Sequence, residues 1–388
     1  MTRILHISAD YPDAFSASKT QAVRNLLEGT PALDHRVYAI NRQNGLGGIH
    51  MLDRSNGVTT LVYRAPKYGI LLETFLNALA DWIVSDCKAQ GEKIDLVHAH
   101  KLTIEGLAAR RVARELGCPY ICTVRGNTDR KYLQLKPEKR SVYRDVAINA
   151  AHLLPVTPWI ERYLIRALSL ENARLSLLPT ITDCDRFIPP RHAGTRFVTA
   201  FHLDGWRLKG MPNLLSAIAA LRAEGTEIAL DVIGGGGDAA TKALEKQISA
   251  RGLEDLVTLC GPVRHSEMQE ALNRYAAFVL PTLRETFGMV YIEALFSGVP
   301  VLYSQDRGID GLFDDQDVGV RCNPQSVASI AQGLSELHAG ANRMKTTIRT
   351  LQETGGFERF RKSTVCDLYQ NIVTGVCEVP QTNTTEPV

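Results

Sequence analysis

No Cys-x-x-Cys pair occurs among the eight cysteines, Cys87, Cys118, Cys122, Cys184, Cys260, Cys322, Cys366 and Cys377. Their scatter through apolar, strand-like contexts argues against a paired zinc or redox motif. A chain of 388 residues is also too large to depend on disulfide staples, so free thiols in a reducing compartment are expected. No uncharged apolar run reaches the roughly 18 residues needed to cross a bilayer. The opening Arg3-Ile4-Leu5-His6-Ile7-Ser8 is a strand pattern leading to a turn at Pro12, unlike a secretory signal. These features give a cytoplasmic expectation, with peripheral contact at the inner face of a membrane left open. An excess of either charge is nearly missing: the net value of +2 gives no global argument for a nucleic-acid partner. No Gly-x-Gly-x-x-Gly follows the first strand, which argues against a dinucleotide-dependent dehydrogenase. No internal repeat is present.

What is there is a globular composition, 45% hydrophobic and 22% charged, long enough for two domains of about 190 residues each. Short apolar runs alternate with helical patterns, the signature of doubly wound parallel sheets. Strands are expected at Ile4–Ser8, Arg36–Ile40, Thr59–Tyr63, Leu96–Ala99, Tyr120–Val124 and Leu153–Val156. Pro/Gly punctuation at Pro189 to Gly194 marks a boundary, after which strands are expected at Phe197–Phe201, Ile228–Ile233, Val257–Cys260 and Val299–Tyr303. The expected division is 1–190, 191–356, a last amphipathic helix within 357–376, and a polar tail over 377–388. Ligands of such sheets bind beyond the carboxyl ends of the strands, which draws attention to residues 9–21, 98–101 and 125–130.

The most informative stretch is Arg284 to Leu302, R-E-T-F-G-M-V-Y-I-E-A-L-F-S-G-V-P-V-L. A short strand ending at Pro281 precedes it. Glu285-Thr286-Phe287-Gly288 forms a loop, a helix starts near Met289, Ser297-Gly298 stops it, and Val299-Pro300-Val301-Leu302 begins another strand. Glu285 therefore lies before a helix N-terminus and Glu293 about one turn inside it. Free N–H groups at that N-terminus favour an anion such as phosphate.

This pattern resembles the retaining GT-B glycosyltransferases, in particular the large family 4. Members carry a Glu, seven residues, Glu motif followed by Ala and Gly-x-Pro-Val, and E-T-F-G-M-V-Y-I-E-A-L-F-S-G-V-P-V is similar almost letter for letter. The resemblance implies two Rossmann-like α/β domains facing across a cleft. It implies transfer of a sugar from a nucleotide-diphosphate donor to an acceptor hydroxyl, with retention and without a metal or other cofactor. Glu285 and the backbone of Phe287, Gly288 and Met289 would hold the donor sugar, and Glu293 the ribose hydroxyls. Lys209-Gly210 resembles the family's pyrophosphate-gripping Lys-Gly, with Arg207 or His202 in place of the usual arginine. Gly234-Gly235 opens the Gly-rich turn that lets backbone approach the donor. Glu285, Lys209, Arg207 and Arg125 are the expected catalytic set.

The first domain departs from the family. Its first loop has no glycine between Asp10 and Thr20, and Ser18 and Lys19 stand where a Gly-Gly pair is usual. Arg125-Gly126 replaces the frequent His-Gly, so an arginine able to grip a phosphate or carboxylate replaces an imidazole. Arg125, Asn127, His100, Ser18 and Lys19 form the expected acceptor side, for a glycan or lipid-linked acceptor. His98-Ala99-His100 sends two imidazoles to one face if the strand continues, but without a third ligand at a convincing spacing. Arg130 to Arg144 is locally basic and suits an anionic acceptor, an anionic membrane surface or plain solvent. A nucleotide-sugar epimerase of the same fold, and a non-catalytic nucleotide-sugar-binding protein, are the alternatives. The sugar, the base, the acceptor and the oligomeric state are not written in the sequence.

Overall fold

Apolar runs buried on both faces build the first sheet around β1 (Arg3–Ser8), whose last five residues are all buried. β2 (Asp34–Asn44), β3 (Ile49–Ser55), β4 (Val58–Ala65), β5 (Leu96–Ala99), β6 (Tyr120–Val124) and β7 (His152–Pro155) complete it, in the order β3-β4-β2-β1-β5-β6-β7. Every pairing is parallel except β3 with β4. β3 falls outside the expected strands because it is largely exposed; an edge strand facing water lacks the apolar alternation that marks the others. The computed structural model describes residues 1–378 apart from 18, 67, 68, 172, 192 and 193. The expected tail from 379 onward therefore lies outside the described residues.

Helices cover both faces of this sheet. Leu72–Ala89 buries Leu72, Leu76, Leu79, Ile83 and Cys87, a stripe at three- and four-residue spacing that packs into the core. This helix is thus core packing from Leu72 on, while Ile70 and Leu71 stay exposed.

The second sheet contains β8 (Phe197–Ala200), β9 (Leu230–Ile233), β10 (Val257–Gly261), β11 (Ala277–Val279), β12 (Val301–Ser304) and β13 (Gly319–Cys322). It is wholly parallel, ordered β10-β9-β8-β11-β12-β13. Met211–Ala223 and Val327–Glu353 pack their apolar sides on it.

The chain divides into two units, Met1–Ile181 with the segment from Lys362, and Thr182–Arg361. The division precedes the expected boundary at 190, because residues after Thr182 are bonded to the second core: the Ile188 N–H donates to the Phe296 carbonyl at 2.7 Å. The expected final helix is also split. Phe357 precedes a 3-10 turn (Glu358–Phe360) that ends on Phe360, and the two rings pack against Phe296 and Phe313. Arg361 is extended, so the helix starts at Lys362 and buries Val365, Tyr369 and Val373 in the first unit. Apolar spacing runs through the break, which is why periodicity alone reads one helix. Among the described residues no helix is long and apolar enough to cross a membrane.

Candidate active site

In the second unit the site is built from turns that follow β8, β9, β11 and β12. After β11, Pro281 leads to the Glu285 turn, and Gly288, with φ of +78°, caps the helix Met289–Phe296. Phe287 is buried and anchors the turn, leaving Gly288 and Met289 half-buried at the helix start. Gly308, in the loop after β12, seats against this turn: a Cβ there would stand 3.1 Å from the Tyr291 ring and 3.6 Å from Glu285 Cγ.

The decisive contact joins the turns after β8 and β11. Lys209 Nζ lies 2.7 Å from Glu285 Oε2, so the cation and the carboxylate singled out in the sequence meet although 76 positions apart. Gly210 places the lysine: it adopts φ of +80°, and a Cβ would lie 1.9 Å from the Pro281 carbonyl oxygen. Only glycine lets the turn after β8 touch the end of β11. Gly210 also caps the helix Met211–Ala223. Gly234 is equally constrained, since a Cβ there would fall 1.9 Å from the Phe201 carbonyl oxygen, whereas Gly235 has room for a methyl group.

Glu293 is buried and accepts a hydrogen bond from Thr182 Oγ1 at 2.5 Å. Burial raises its carboxyl above the ordinary range, against the pull of the Thr182 hydroxyl. Thr182 was legible only as part of the stretch leading to the boundary; nothing in its spacing announced the bond. Arg207 is exposed and its guanidinium stacks 4.3 Å over the Trp206 ring, with no ion pair among the described residues. His202, also exposed, lies 3.6 Å from Asp204.

In the first unit the expected acceptor-side residues cluster only in part. Ser18 lies outside the described residues. Lys19 is tied down within its own loop, 2.9 Å from Asp13 Oδ2 and 2.7 Å from Asn41 Oδ1. Asn127 starts the helix Asn127–Leu135 behind Gly126. Arg125 makes no ion pair or hydrogen bond among the described residues, and its Nε is buried without a partner. Burial lowers the guanidinium, opposed by Asp10, Glu105 and Asp129. Asp129 instead accepts from the Thr103 N–H and hydroxyl, at 2.9 and 2.8 Å. Sequence reasoning missed the ion pairs beside it: buried Lys101 stands 2.6 Å from Asp10 and 3.6 Å from Glu105. Burial pushes the Glu105 carboxyl up to about 7, against the pull of Lys101.

Two groups of side chains bring potential metal donors within 4.8 Å of one another: His6, His98 and His100, and Cys184, His265 and Glu293. His6 on β1 is a third imidazole that spacing within one strand does not reveal. In the first group hydrogen bonds occupy five of the six nitrogens, leaving His100 Nδ1: His98 meets Tyr369 and Thr123 at 2.9 and 2.8 Å, and His6 meets His100 and His35 at 3.1 and 2.9 Å. In the second, Cys184 Sγ is 3.9 and 3.7 Å from the two nitrogens of His265.

Residues 195–351 match the family model described as glycosyl transferases group 1, and residues 20–180 match that of the glycosyl transferase 4-like domain. The chain belongs to the GT-B glycosyltransferases of the family 4 type. The two matches leave the Lys209–Glu285 contact in the group 1 region and Arg125 in the 4-like region of this glycosyltransferase. It is 29% identical over 264 residues to a D-inositol 3-phosphate glycosyltransferase of Arthrobacter sp. (strain FB24), a match spanning 63% of this chain and 62% of that protein. Among solved structures it resembles sucrose-phosphate synthase from Thermosynechococcus elongatus, with a TM-score of 0.71, 21% identity and coverage of 97% and 100% of the two chains. It also resembles Anabaena HepE in complex with UDP and glucose, with a TM-score of 0.65, 14% identity and coverage of 96% and 100%. These structural likenesses establish the fold.

Proposed function

We propose that this glycosyltransferase moves a sugar from a nucleoside-diphosphate donor to an acceptor hydroxyl, with retention and without a metal, in glycan, polysaccharide or glycolipid assembly. The observation that carries the reading is the Lys209–Glu285 contact, held by Gly210 beside the N-termini of Met211–Ala223 and Met289–Phe296. The lysine and the helix N-termini stabilise the charge that develops on a leaving diphosphate. Gly234 and Gly235 give the donor close approach to backbone. Glu285, committed to Lys209, orients the sugar and holds the lysine rather than acting as a nucleophile. The leaving diphosphate therefore takes the proton of the incoming hydroxyl on the same face, which preserves the anomeric configuration. Glu293, oriented by Thr182, accepts hydrogen bonds from the ribose hydroxyls. Arg207, stacked on Trp206 and exposed, is available to the diphosphate from a shifted position. Support for a nucleotide-sugar donor comes from HepE, solved with UDP and glucose.

The acceptor half is Arg125 with His100 and Asn127. An arginine that makes no ion pair among the described residues, beside the carboxyl ends of β5 and β6, suits an acceptor that carries a phosphate or carboxylate as well as a hydroxyl. The name of the Arthrobacter relative, a glycosyltransferase of D-inositol 3-phosphate, agrees with that chemistry. Lys19, occupied by Asp13 and Asn41, shapes the loop instead. None of the eight cysteines, all among the described residues, forms a disulfide, in keeping with a cytoplasmic enzyme. Exposed Ile70, Leu71 and Leu135 stand near Lys136 and Lys139, whose ammonium groups reach Gly69 and Glu73. This apolar and basic patch supports peripheral contact with an anionic membrane.

A thermal-shift screen with uridine, guanosine and adenosine diphosphate sugars identifies the donor, and nucleoside diphosphate release with and without sugar-phosphate acceptors tests the reaction. Transfer predicts release that depends on the acceptor. Sugar interconversion without an acceptor would point to an epimerase, and binding without turnover on any acceptor to a non-catalytic protein.

A further inference from the structure

Four polar groups run in series across the first sheet, from the turn before β2 through the middle of β1 to the carboxyl end of β5. His35 Nε2 lies 3.2 Å from the Thr30 carbonyl oxygen and 3.0 Å from Thr30 Oγ1. His35 Nδ1 lies 2.9 Å from His6 Nε2, and His6 Nδ1 lies 3.1 Å from His100 Nε2. His6 and His100 are fully buried, and His100 Nδ1 has no hydrogen-bond partner.

The tautomers follow from one end of the series. A carbonyl oxygen only accepts, so His35 Nε2 carries a proton. The Thr30 hydroxyl is spent on the Leu26 carbonyl at 2.9 Å, so it does not compete as a donor. His35 Nδ1 then offers a lone pair, and His6 Nε2 must donate to it. His6 Nδ1 is left as an acceptor, and His100 Nε2 donates in turn. The remaining nitrogen, His100 Nδ1, carries no proton. All three rings are neutral, since burial lowers His35 and holds His6 and His100 well below the usual imidazole range.

We propose that Thr30, His35, His6 and His100 form a tautomer relay that leaves His100 Nδ1 an obligate hydrogen-bond acceptor, and that its ligand is a hydroxyl of the acceptor molecule. The proposal rests on the sugar-transfer reading above for the identity of the ligand, and on geometry alone for the relay. His100 ends the first of the two strands whose loops carry the acceptor side. Its free nitrogen is one of four buried polar atoms without a partner contributed by residues near those strand ends, with Glu105 Oε2, Arg125 Nε and Asp129 Oδ2. A buried, unpaired acceptor costs free energy unless something donates to it. A polyol hydroxyl does so, and the fixed tautomer admits a donor there while refusing an acceptor. His6 and His35 are positioning residues, and His100 is the group that touches the substrate.

The test is nitrogen-15 NMR of the full chain labelled at histidine, in which two-bond proton–nitrogen correlations report the tautomer of each ring. His35, His6 and His100 are expected to be protonated on Nε2 alone. His35→Phe removes the acceptor for His6 Nε2, so a population protonated on Nδ1 appears in His6 and His100. His35→Asn puts a side-chain carbonyl near the position of Nδ1 and restores the wild-type pattern. The His98 resonances, held by Tyr369 and Thr123, report whether each variant keeps its fold. In the transfer assay, His35→Phe raises the acceptor KM about tenfold with the donor KM unchanged, and His35→Asn recovers it. Nδ1 protonation of His100 in the wild type overturns the relay. An intact tautomer switch with an unchanged acceptor KM overturns the hydroxyl ligand. The NMR result stands on the free protein, so failure to find any transfer counts against the function and not against the relay.

Discussion

Lys209 and Glu285 meet at 2.7 Å across two turns of the second unit, and the pairing makes the donor site a charge-balanced cradle before any ligand arrives. An incoming diphosphate brings negative charge to Lys209 and draws it from Glu285. Lys209→Ala is therefore expected to lower turnover by roughly a hundredfold or more. The fold should change little, by less than about 1 kcal/mol, because the pair is partly solvated. Steady-state rates and a denaturation curve on the same preparation check both.

Gly234 and Gly235 separate packing from ligand approach. Gly234→Ala drives a methyl group into the Phe201 carbonyl and is expected to prevent stable folding. Gly235→Ala meets nothing closer than 3.6 Å. It should fold normally while weakening nucleotide-sugar binding, measured by calorimetry. Unchanged affinity would take Gly235 out of the donor site.

Glu293 tests the ribose contact. Glu293→Ala is expected to weaken nucleotide binding by about 1.5–3 kcal/mol through loss of a charge-assisted hydrogen bond. Calorimetry with the free nucleoside diphosphate reads this directly, and equal affinities would sink the assignment.

Glu105 sets a pH dependence. Its folded carboxyl titrates near 7, above the ordinary value of 4.5, because it is buried. The unfolded chain releases the proton first, so this group lowers stability as pH rises from about 4.5 to 7 and costs the same above that. Relative to wild type, Glu105→Gln should gain on the order of 3 kcal/mol between pH 4 and pH 8. Chemical denaturation at both pH values checks the sign. Gln keeps the oxygen that accepts from the Ala9 N–H at 2.8 Å, but it loses the Lys101 ion pair, so the test is the difference between the two pH values.

Arg125 carries the acceptor proposal. Arg125 is a half-buried cation with no ion pair among the described residues, so removing it relieves a desolvation cost, and Arg125→Met is expected to leave stability unchanged or raise it. Use of a phosphate-bearing acceptor should fall at least tenfold, with donor affinity intact. Equal loss with an uncharged acceptor would argue against anion recognition.

The donor half was legible in the sequence because it is local. Glu285, Gly288 and Glu293 lie within one loop and helix, and Lys209-Gly210 stands at the expected place after a strand. The acceptor half depends on contacts between distant strands. His6 and His100 lie 94 positions apart, and Asp10 and Lys101 lie in the loops after separate strands, so no spacing rule joins them. Lys19 shows the reverse: its position matched a ligand loop, but Asp13 and Asn41, unremarkable in sequence, claim it. Parallel strands were read correctly where both faces are buried. Exposed β3 and the half-exposed β13 gave no such signal.

Nucleoside diphosphate release from the donor identified by thermal shift, followed in wild type and Lys209→Ala with and without acceptor, tests the central claim most directly. Acceptor-dependent release by the wild type, a product of retained anomeric configuration, and roughly hundredfold slower release by the variant are expected. Equal rates in the two proteins, or release indifferent to the acceptor, would contradict the claim.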